Sequence, residues 1–299
     1  MLHHQINVQV WMLYIFMDYE FCLLYMQIPL QSIHPLKWDF GLPDDFDKNL
    51  VKRFPDHFQI VKGTNGLACL KLVQWREEFA VSELQKSNEK RGLESDNGAD
   101  GRNAYKYREF KRGKSALEFA MSFPRGYGAQ KKVKAWMEEF QKLPYISPYE
   151  DSRRIDPNSE LVEKRVVGVL HEFLSLTIYK KTKRNYLRSL REELILPHRF
   201  TRLFTRYPGI FYLSLKCKTT TVALREGYRR GRLVMQHPVA RHRDKFHHLM
   251  RTGLVCRCNG IEVLPLLDSW IDEAEDDNVE GQIDDAENAT SNACYADGT

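Results

Sequence analysis

The sequence lacks the motifs by which enzymes and metal proteins are usually recognised. No HExxH, Walker or GxSxG motif occurs in it, and no nucleophile is visibly paired with a histidine. Cys256 and Cys258 form the only close cysteine pair, and the single residue between them is tight for a structural zinc site. The other cysteines are scattered, which argues against a disulfide scaffold and favours a reducing compartment. We therefore expect no enzymatic activity, no metal and no cofactor.

The sequence also lacks an uninterrupted apolar run that could cross a membrane. Residues 8–26 are the most apolar stretch, but Asp18 and Glu20 interrupt them, and a membrane helix needs about 20 apolar residues. The same region has neither the cleavage site of a secretory signal nor the Arg- and Ser-rich composition of a transit peptide. We expect no membrane partner and interpret residues 1–19 as an atypical N-terminus.

Positive charge is missing from the end of the chain and concentrated just before it. Residues 261–299 contain 12 acidic residues and no lysine or arginine. Residues 161–250 contain 20 Lys and Arg against 6 Asp and Glu, a net charge of +14 that the overall +5 conceals. A basic block followed by an acidic tail indicates a polyanionic partner. The composition of residues 253–299 predicts an acidic disordered tail.

What the chain does contain is one pattern that occurs twice, in residues 36–72 (the first repeat) and 187–224 (the second repeat). In each, an amphipathic segment stops at Leu-Pro, a short second helix stops at an aromatic-Pro step, and two alternating runs follow as a β-hairpin. The hairpins are expected near residues 58–73 and 211–224. Helix, turn, helix and hairpin in tandem predict two winged-helix-like units. The predicted fold class is therefore α+β, mainly α with small β-hairpins.

The pattern divides the chain into six regions. They are an atypical N-terminus (1–19), a first helix–helix–hairpin unit (20–86), a disordered linker (87–104), a connecting helix with an aromatic connector (105–160), a second, basic unit (161–252) and an acidic disordered tail (253–299). The linker assignment depends on the polar, glycine-rich and aperiodic composition of its residues. In the connector, Tyr145 and Tyr149 either stack on bases or cover a core, and such aromatic residues more often cover a core.

The two repeats differ in charge on the helix that follows the Leu-Pro step. In the second repeat, Arg199, Arg202 and Arg206 are spaced at i, i+3 and i+7, so they share one helix face opposite an apolar stripe. The matching helix of the first repeat begins with aspartates within residues 44–47. The arginines are either an anion-binding face or an ordinary solvated face. The basic surroundings favour anion binding.

Six segments of the chain carry a resemblance to a known family. They are PLKWDFGLPDDF (35–46), VKRFPDHFQIV (51–61), LPYISPYED (143–151), EKRVVGVLHEFLSLTIYKKT (163–182), PGIFYLS (208–214) and VALREGYRRGRLV (222–234). In this order they resemble the plant organelle RNA recognition (PORR) domain. The resemblance covers about residues 26–252 in motif order. It implies a plant protein imported into mitochondria or chloroplasts, with the mitochondrion favoured. The family domain normally begins upstream, after a transit peptide and with a further unit, and we expect this chain to lack both.

The resemblance implies a non-catalytic RNA-binding protein that promotes splicing of group II introns, with organellar intron RNA and possible further splicing factors as partners. Basic side chains would neutralise phosphates, and unpaired bases would be held by stacking. The residues predicted to bind RNA are Lys180, Lys181, Lys183, Arg184, Arg199, Arg202, Arg206, Arg229 and Arg230. The alternative is a winged-helix DNA-binding regulator that reads the major groove with the helix after Pro197. A nuclease has little support.

Overall fold

The computed structural model describes residues 27–63, 65–74, 80–96, 114–123, 126, 130–150, 155–156, 159–216 and 219–259. The chain divides into two compact units, Met1–Asp244 and Lys245–Thr299. The first unit holds both repeats, and the second is described only for residues 245–259, the end of a helix. Predictions made for residues 1–26, 97–104 and 260–299 lie outside the described residues. In the parts that are described, no helix is long and apolar enough to cross a membrane.

A short strand enters the first repeat and joins its sheet. The elements are β1 (Gln27–Pro29), α1 (Leu30–Ile33), a 3-10 turn (His34–Leu36), α2 (Lys37–Phe40), a π-helical turn (Phe46–Leu50), α3 (Val51–Arg53), β2 (Phe58–Lys62) and β3 (Ala68–Leu72). Strands β1 and β2 both pair antiparallel with β3, so the strand order is β1-β3-β2. The predicted hairpin is confirmed. The entry strand β1 was not predicted.

Three longer helices lie between the hairpins of the two repeats: α4 (Glu83–Asp96), α5 (Lys131–Lys142) and α6 (Glu160–Leu176). Helix α6 is buried on all sides from Lys164 to Leu176. Although this stretch includes charged side chains, its burial places α6 in the interior, and its apolar residues belong to the core. Phe40 of the first repeat packs edge-on against Phe173 of α6, with their ring centroids 5.4 Å apart.

The second repeat has the same sheet topology as the first. Together with the residues that lead into it, its elements are β4 (Lys181–Lys183), α7 (Arg184–Ser189), a 3-10 turn (Phe200–Arg202), α8 (Leu203–Arg206), β5 (Phe211–Ser214) and β6 (Thr221–Leu224). Strands β4 and β5 both pair antiparallel with β6, giving the order β4-β6-β5. A small hairpin, β7 (Tyr228–Arg229) and β8 (Arg232–Leu233), and a last helix, α9 (Pro238–Asn259), follow. The α+β class is confirmed.

Each Leu-Pro step opens a hydrogen-bonded turn, and the helix starts only after it. Phe46 N donates to Pro43 O at 3.2 Å, and Phe200 N donates to Pro197 O at 3.0 Å. Helical structure begins only at these two phenylalanines. The prediction that each helix begins at the Leu-Pro step is therefore wrong by one turn. As a consequence, Arg199 precedes the helical segment and lies outside the face that it was predicted to share.

The predicted disordered linker is wrong for residues 87–96, which belong to helix α4. The helix begins with a capping box: Ser82 N donates to Gln85 Oε1 at 2.7 Å, and Gln85 N donates to Ser82 Oγ at 3.3 Å. Asn88 is buried and donates to the carbonyl oxygens of Leu84 at 2.8 Å and Glu118 at 3.2 Å. These bonds allow a polar sequence to lie against the core.

The structure corrects the predicted start of the disordered tail. Helix α9 continues to Asn259, so residues 253–259 are helical and do not belong to a disordered tail.

The two tyrosines of the connector pack into the protein. Tyr145 is fully buried, and its hydroxyl donates to Ser82 Oγ at 3.1 Å. Tyr149 is half-buried and donates to Glu172 Oε1 at 2.9 Å. Both tyrosines therefore pack into the protein, as favoured from the sequence.

Candidate nucleic-acid interface

The apolar side of the segment after Pro197 faces the core, and two of its predicted arginines face solvent. Phe200, Leu203 and Phe204 are buried, which confirms the predicted stripe. Arg199 and Arg202 are exposed. Arg199 lies in the turn and Arg202 at the end of the 3-10 turn, so both guanidinium groups are available to an anion.

Arg206 is also exposed, but its guanidinium group already has partners within the protein. Its Nε lies 3.1 Å from Glu163 Oε1 in α6, and its Cζ lies 5.2 Å from the ring centroid of Trp136 in α5. The hydroxyl of Tyr207 donates to the same Glu163 oxygen at 2.7 Å. Burial, together with this bond to Glu163, raises the pKa of Tyr207. Arg206 therefore ties α8 to the two neighbouring helices.

The basic segment 180–184 is divided by its strand geometry into inward and outward residues. In β4, Lys181 and Lys183 are exposed, whereas Thr182 between them is buried. The Nζ atom of Lys181 lies 5.5 Å from the ring centroid of Tyr179, and that of Lys183 lies 5.3 Å from the ring centroid of Tyr186. Each ammonium group thus lies over an aromatic ring in a cation–π contact, and both lysines remain exposed.

Lys180 and Arg184, at the two ends of this segment, are placed differently. Lys180 has a left-handed backbone with φ of +50°, and its ammonium group donates to the Ser175 carbonyl near the end of α6. Burial lowers the pKa of Lys180. A lysine at this position satisfies a helix C-terminus and is not directed at a ligand. Arg184 is half-buried. Lys181 and Lys183 are therefore the two basic residues of this segment whose side chains are exposed.

The hairpin β7–β8 carries a concentrated positive charge. Arg230 and Gly231 both have positive φ, +50° and +76°, as a two-residue hairpin turn requires. The turn places Arg229 directly opposite Arg232, with Arg230 at the tip, and all three side chains are exposed. Like charges opposite one another destabilise a strand pair. Arg232 was not among the predicted residues, although the Arg-Arg-Gly-Arg sequence contains the signal for it.

Two contacts hold this arginine hairpin (residues 228–233) on the body of the protein. The Tyr228 hydroxyl donates to the Tyr179 carbonyl oxygen, and burial raises the pKa of Tyr228 to about 12. In the loop before the hairpin, Glu226 Oε1 lies 2.5 Å from Nε2 of the buried His171 in α6. The arginine hairpin is thus anchored next to the segment that leads into β4.

The outer face of the second sheet is basic at one edge and aromatic at the other. The register aligns Lys181, Ala223 and Tyr212 in one row across the three strands. Tyr212 is 40% exposed, and the Cζ atom of Arg225 lies 5.6 Å from its ring centroid. Burial lowers the pKa of Arg225. Sequence reasoning did not select Tyr212, because only the strand register places it in the same cross-strand row as Lys181.

Three groups contain the exposed cations described above that have no acidic partner among the described residues. They are the turn with Arg199 and Arg202, the strand with Lys181 and Lys183, and the arginine hairpin. Such groups can neutralise successive phosphates of a nucleic acid, and the sheet adds a ring on which a base can stack.

These features occur in a chain that belongs to the plant organelle RNA recognition family, whose "Plant organelle RNA recognition domain" model matches residues 24–255. The chain is 37% identical over 226 residues to "Protein WHAT'S THIS FACTOR 9, mitochondrial" of Arabidopsis thaliana, an alignment that covers 76% of this chain and 54% of that protein. It is 34% identical over 225 residues to "Protein WHAT'S THIS FACTOR 1 homolog, chloroplastic" of the same plant, covering 75% of this chain and 40% of that protein.

A more distant relative is "Protein ROOT PRIMORDIUM DEFECTIVE 1" of Arabidopsis thaliana, which is 28% identical over 225 residues, 71% of this chain and 51% of that protein. The chain spans about half the length of the curated relatives that it matches. No solved structure matches it.

Proposed function

We propose that the protein binds single-stranded RNA in a plant organelle through the exposed cations of its second half, without catalysis of its own. The observation that carries this proposal is the arginine hairpin. Arg229 and Arg232 face each other with Arg230 at the tip, and none of the three has an acidic partner among the described residues. Bound phosphates would offset the repulsion that this arrangement otherwise leaves in the folded state.

In the proposed mode of binding, cations hold the phosphates of the RNA and aromatic rings hold its bases. The arginine hairpin, Lys181 and Lys183 would contact phosphates and so fix the path of the strand. Unpaired bases would then lie against aromatic rings such as Tyr212, which is how most sequence-specific RNA recognition is achieved. In this role the protein would stabilise a productive fold of an RNA that performs its own chemistry.

The finer proposal is that this RNA is a group II intron of the mitochondrion and that the protein promotes its splicing, together with other splicing factors. Support comes from family membership and from a relative that is mitochondrial by name at 37% identity, against 34% for a relative that is chloroplastic by name. Immunoprecipitation of the protein from separated mitochondria and chloroplasts, followed by RNA sequencing, tests this. We expect enrichment of mitochondrial intron RNA. Enrichment only of chloroplast RNA, or of no intron, would contradict the proposal.

A second candidate is a DNA-binding regulator. The order strand, helix, helix, hairpin supports a winged-helix-like reading of both repeats. Against it, the segment after Pro197 is a 3-10 turn followed by the short α8, and Arg206 already contacts Glu163. A major-groove reader needs a helix that presents several free side chains to base edges. The geometry therefore favours single-stranded RNA.

Competition binding with the full chain separates the two functions. A labelled single-stranded RNA of about 20 nucleotides, long enough to offer several phosphates, is displaced by the same unlabelled RNA or by duplex DNA of the same sequence. We expect RNA to compete better than DNA at every salt concentration. If duplex DNA were the better competitor, the DNA-binding function would replace the RNA-binding function.

A further inference from the structure

Trp38 is an exposed aromatic residue whose ring is held on one face only. It lies in α2, and 63% of its surface is exposed. The guanidinium Cζ of Arg243 lies 3.7 Å from its ring centroid, and Nη1 of the same arginine donates to the Trp38 carbonyl oxygen at 2.8 Å. This pair of contacts orients the indole ring and covers one face with a flat cation. Most of the residue nevertheless remains exposed to solvent.

The residue after Trp38 contacts strand β4, which carries Lys181 and Lys183. Asp39, the next residue, accepts a hydrogen bond at 2.6 Å from the hydroxyl of Thr182, which lies between Lys181 and Lys183. Burial raises the pKa of Asp39, while the charges of Lys183, Arg243 and Lys181 act on it in the opposite direction. Trp38 therefore contacts Arg243 directly, and its neighbour Asp39 joins the first repeat to the strand that carries Lys181 and Lys183.

We propose that Trp38 is a stacking platform for one unpaired base of the bound RNA, next to phosphates held by Lys181 and Lys183. This rests on the proposed RNA-binding function and adds to it a residue of the first repeat. Every base presents a flat face, and an arginine behind the ring fixes the platform before the base arrives. A base stacked on an aromatic ring contributes roughly 5- to 150-fold in affinity.

The same contacts have a simpler explanation, in which Trp38 and Arg243 only join α2 to α9. The two roles differ in what they predict for ligands with and without bases. A stacking platform contributes only when a base is present, whereas a phosphate ligand contributes to any chain of phosphates. A purely structural pair contributes to folding stability and to neither ligand.

The experiment measures binding of the full chain to two ligands of the same length. One is a single-stranded RNA of mixed sequence, and the other is an abasic ribose-phosphate chain with the same number of phosphates. The variants are Trp38→Ala and Trp38→Phe. Ile60→Ala, which shortens another exposed apolar side chain at 41% exposure, is the control. Circular dichroism checks that each variant is folded.

We expect Trp38→Ala to bind the RNA roughly 5- to 150-fold more weakly and the abasic chain as wild type does. Trp38→Phe should restore most of the loss, and Ile60→Ala should show none. If wild type binds RNA and Trp38→Ala binds it equally well, the platform is refuted while the proposed function stands. Equal loss on both ligands would also refute it. If wild type binds no RNA, the proposed function fails and the platform fails with it.

Discussion

The two three-stranded sheets have the same strand order and differ in the side chains on their outer faces. In the first sheet, one outer row consists of Gln27, Lys71 and Gln59, whereas the corresponding row of the second contains Lys181 and Tyr212. The inner rows of both sheets contribute apolar residues to one core. The buried residues thus specify the same fold in both repeats. The exposed residues are not constrained by packing and differ in charge.

The turns after the Leu-Pro steps show the same division. In the first repeat, the exposed Asp44 pairs with Lys37 at 2.6 Å, and its hydrogen bond to Lys37 lowers the pKa of Asp44. In the second repeat, the equivalent turn ends in Arg199, which is exposed. In this turn, the first repeat thus pairs its acidic side chain with a lysine of its own. The second leaves positive charge for a ligand.

The largest expected effect is on the stability of the core that the two repeats share. Phe173 of α6 is fully buried and packs on Phe40 of the first repeat. Phe173→Ala should lower the free energy of unfolding by about 3–5 kcal/mol, because it removes a buried ring and leaves a cavity. Urea unfolding followed by circular dichroism and by fluorescence measures this change. The transitions should coincide, as they do when one core unfolds cooperatively. Separate transitions would show that the repeats fold independently.

A smaller effect on stability should distinguish two arginines of the second repeat, Arg206 and Arg202. Arg206→Ala should destabilise the protein by about 1 kcal/mol, because it removes the Glu163 pair and the contact with Trp136. Arg202→Ala, which removes an arginine with no such contacts, should change stability by less than about 0.5 kcal/mol. Thermal or urea unfolding compares the two variants. Equal stabilities would indicate that Arg206 is as free as Arg202.

Local signals in the sequence were sufficient for part of this structure. The Leu-Pro and aromatic-Pro steps, together with alternating apolar residues, predicted both hairpins and the buried stripe at Phe200. Strands β1 and β4 were missed because runs of three residues carry no usable periodicity and pair with strands distant in sequence. Helix α4 was missed because its polar composition concealed the capping box formed by Ser82 and Gln85.

The candidate site could be predicted only as a set of basic residues. Sequence spacing cannot show that Arg206 meets Glu163 or that Lys180 turns back onto Ser175, because these partners are brought together by packing around α6. It also cannot show that Tyr212 lies in the same cross-strand row as Lys181, which requires the register of three strands. The sequence shows where the charged residues are. It does not show which of them have partners in the folded protein.

The central claim is that the phosphates of the RNA are held by the arginine hairpin and the lysines of β4, and not by the cations of the first repeat. The most direct test compares two triple variants that remove the same charge. One replaces Arg229, Arg230 and Arg232 by alanine, and the other replaces Lys48, Lys52 and Arg53, three exposed cations of the first repeat. The measurement is the slope of log affinity for single-stranded RNA against log salt concentration.

We expect the slope to become shallower by about 2 in the first variant, because each lost phosphate contact removes roughly 0.7. The second variant should keep the wild-type slope, since its cations are not at the interface. Both variants should remain folded by circular dichroism. Equal changes in the two slopes, or a change only in the second variant, would contradict the account.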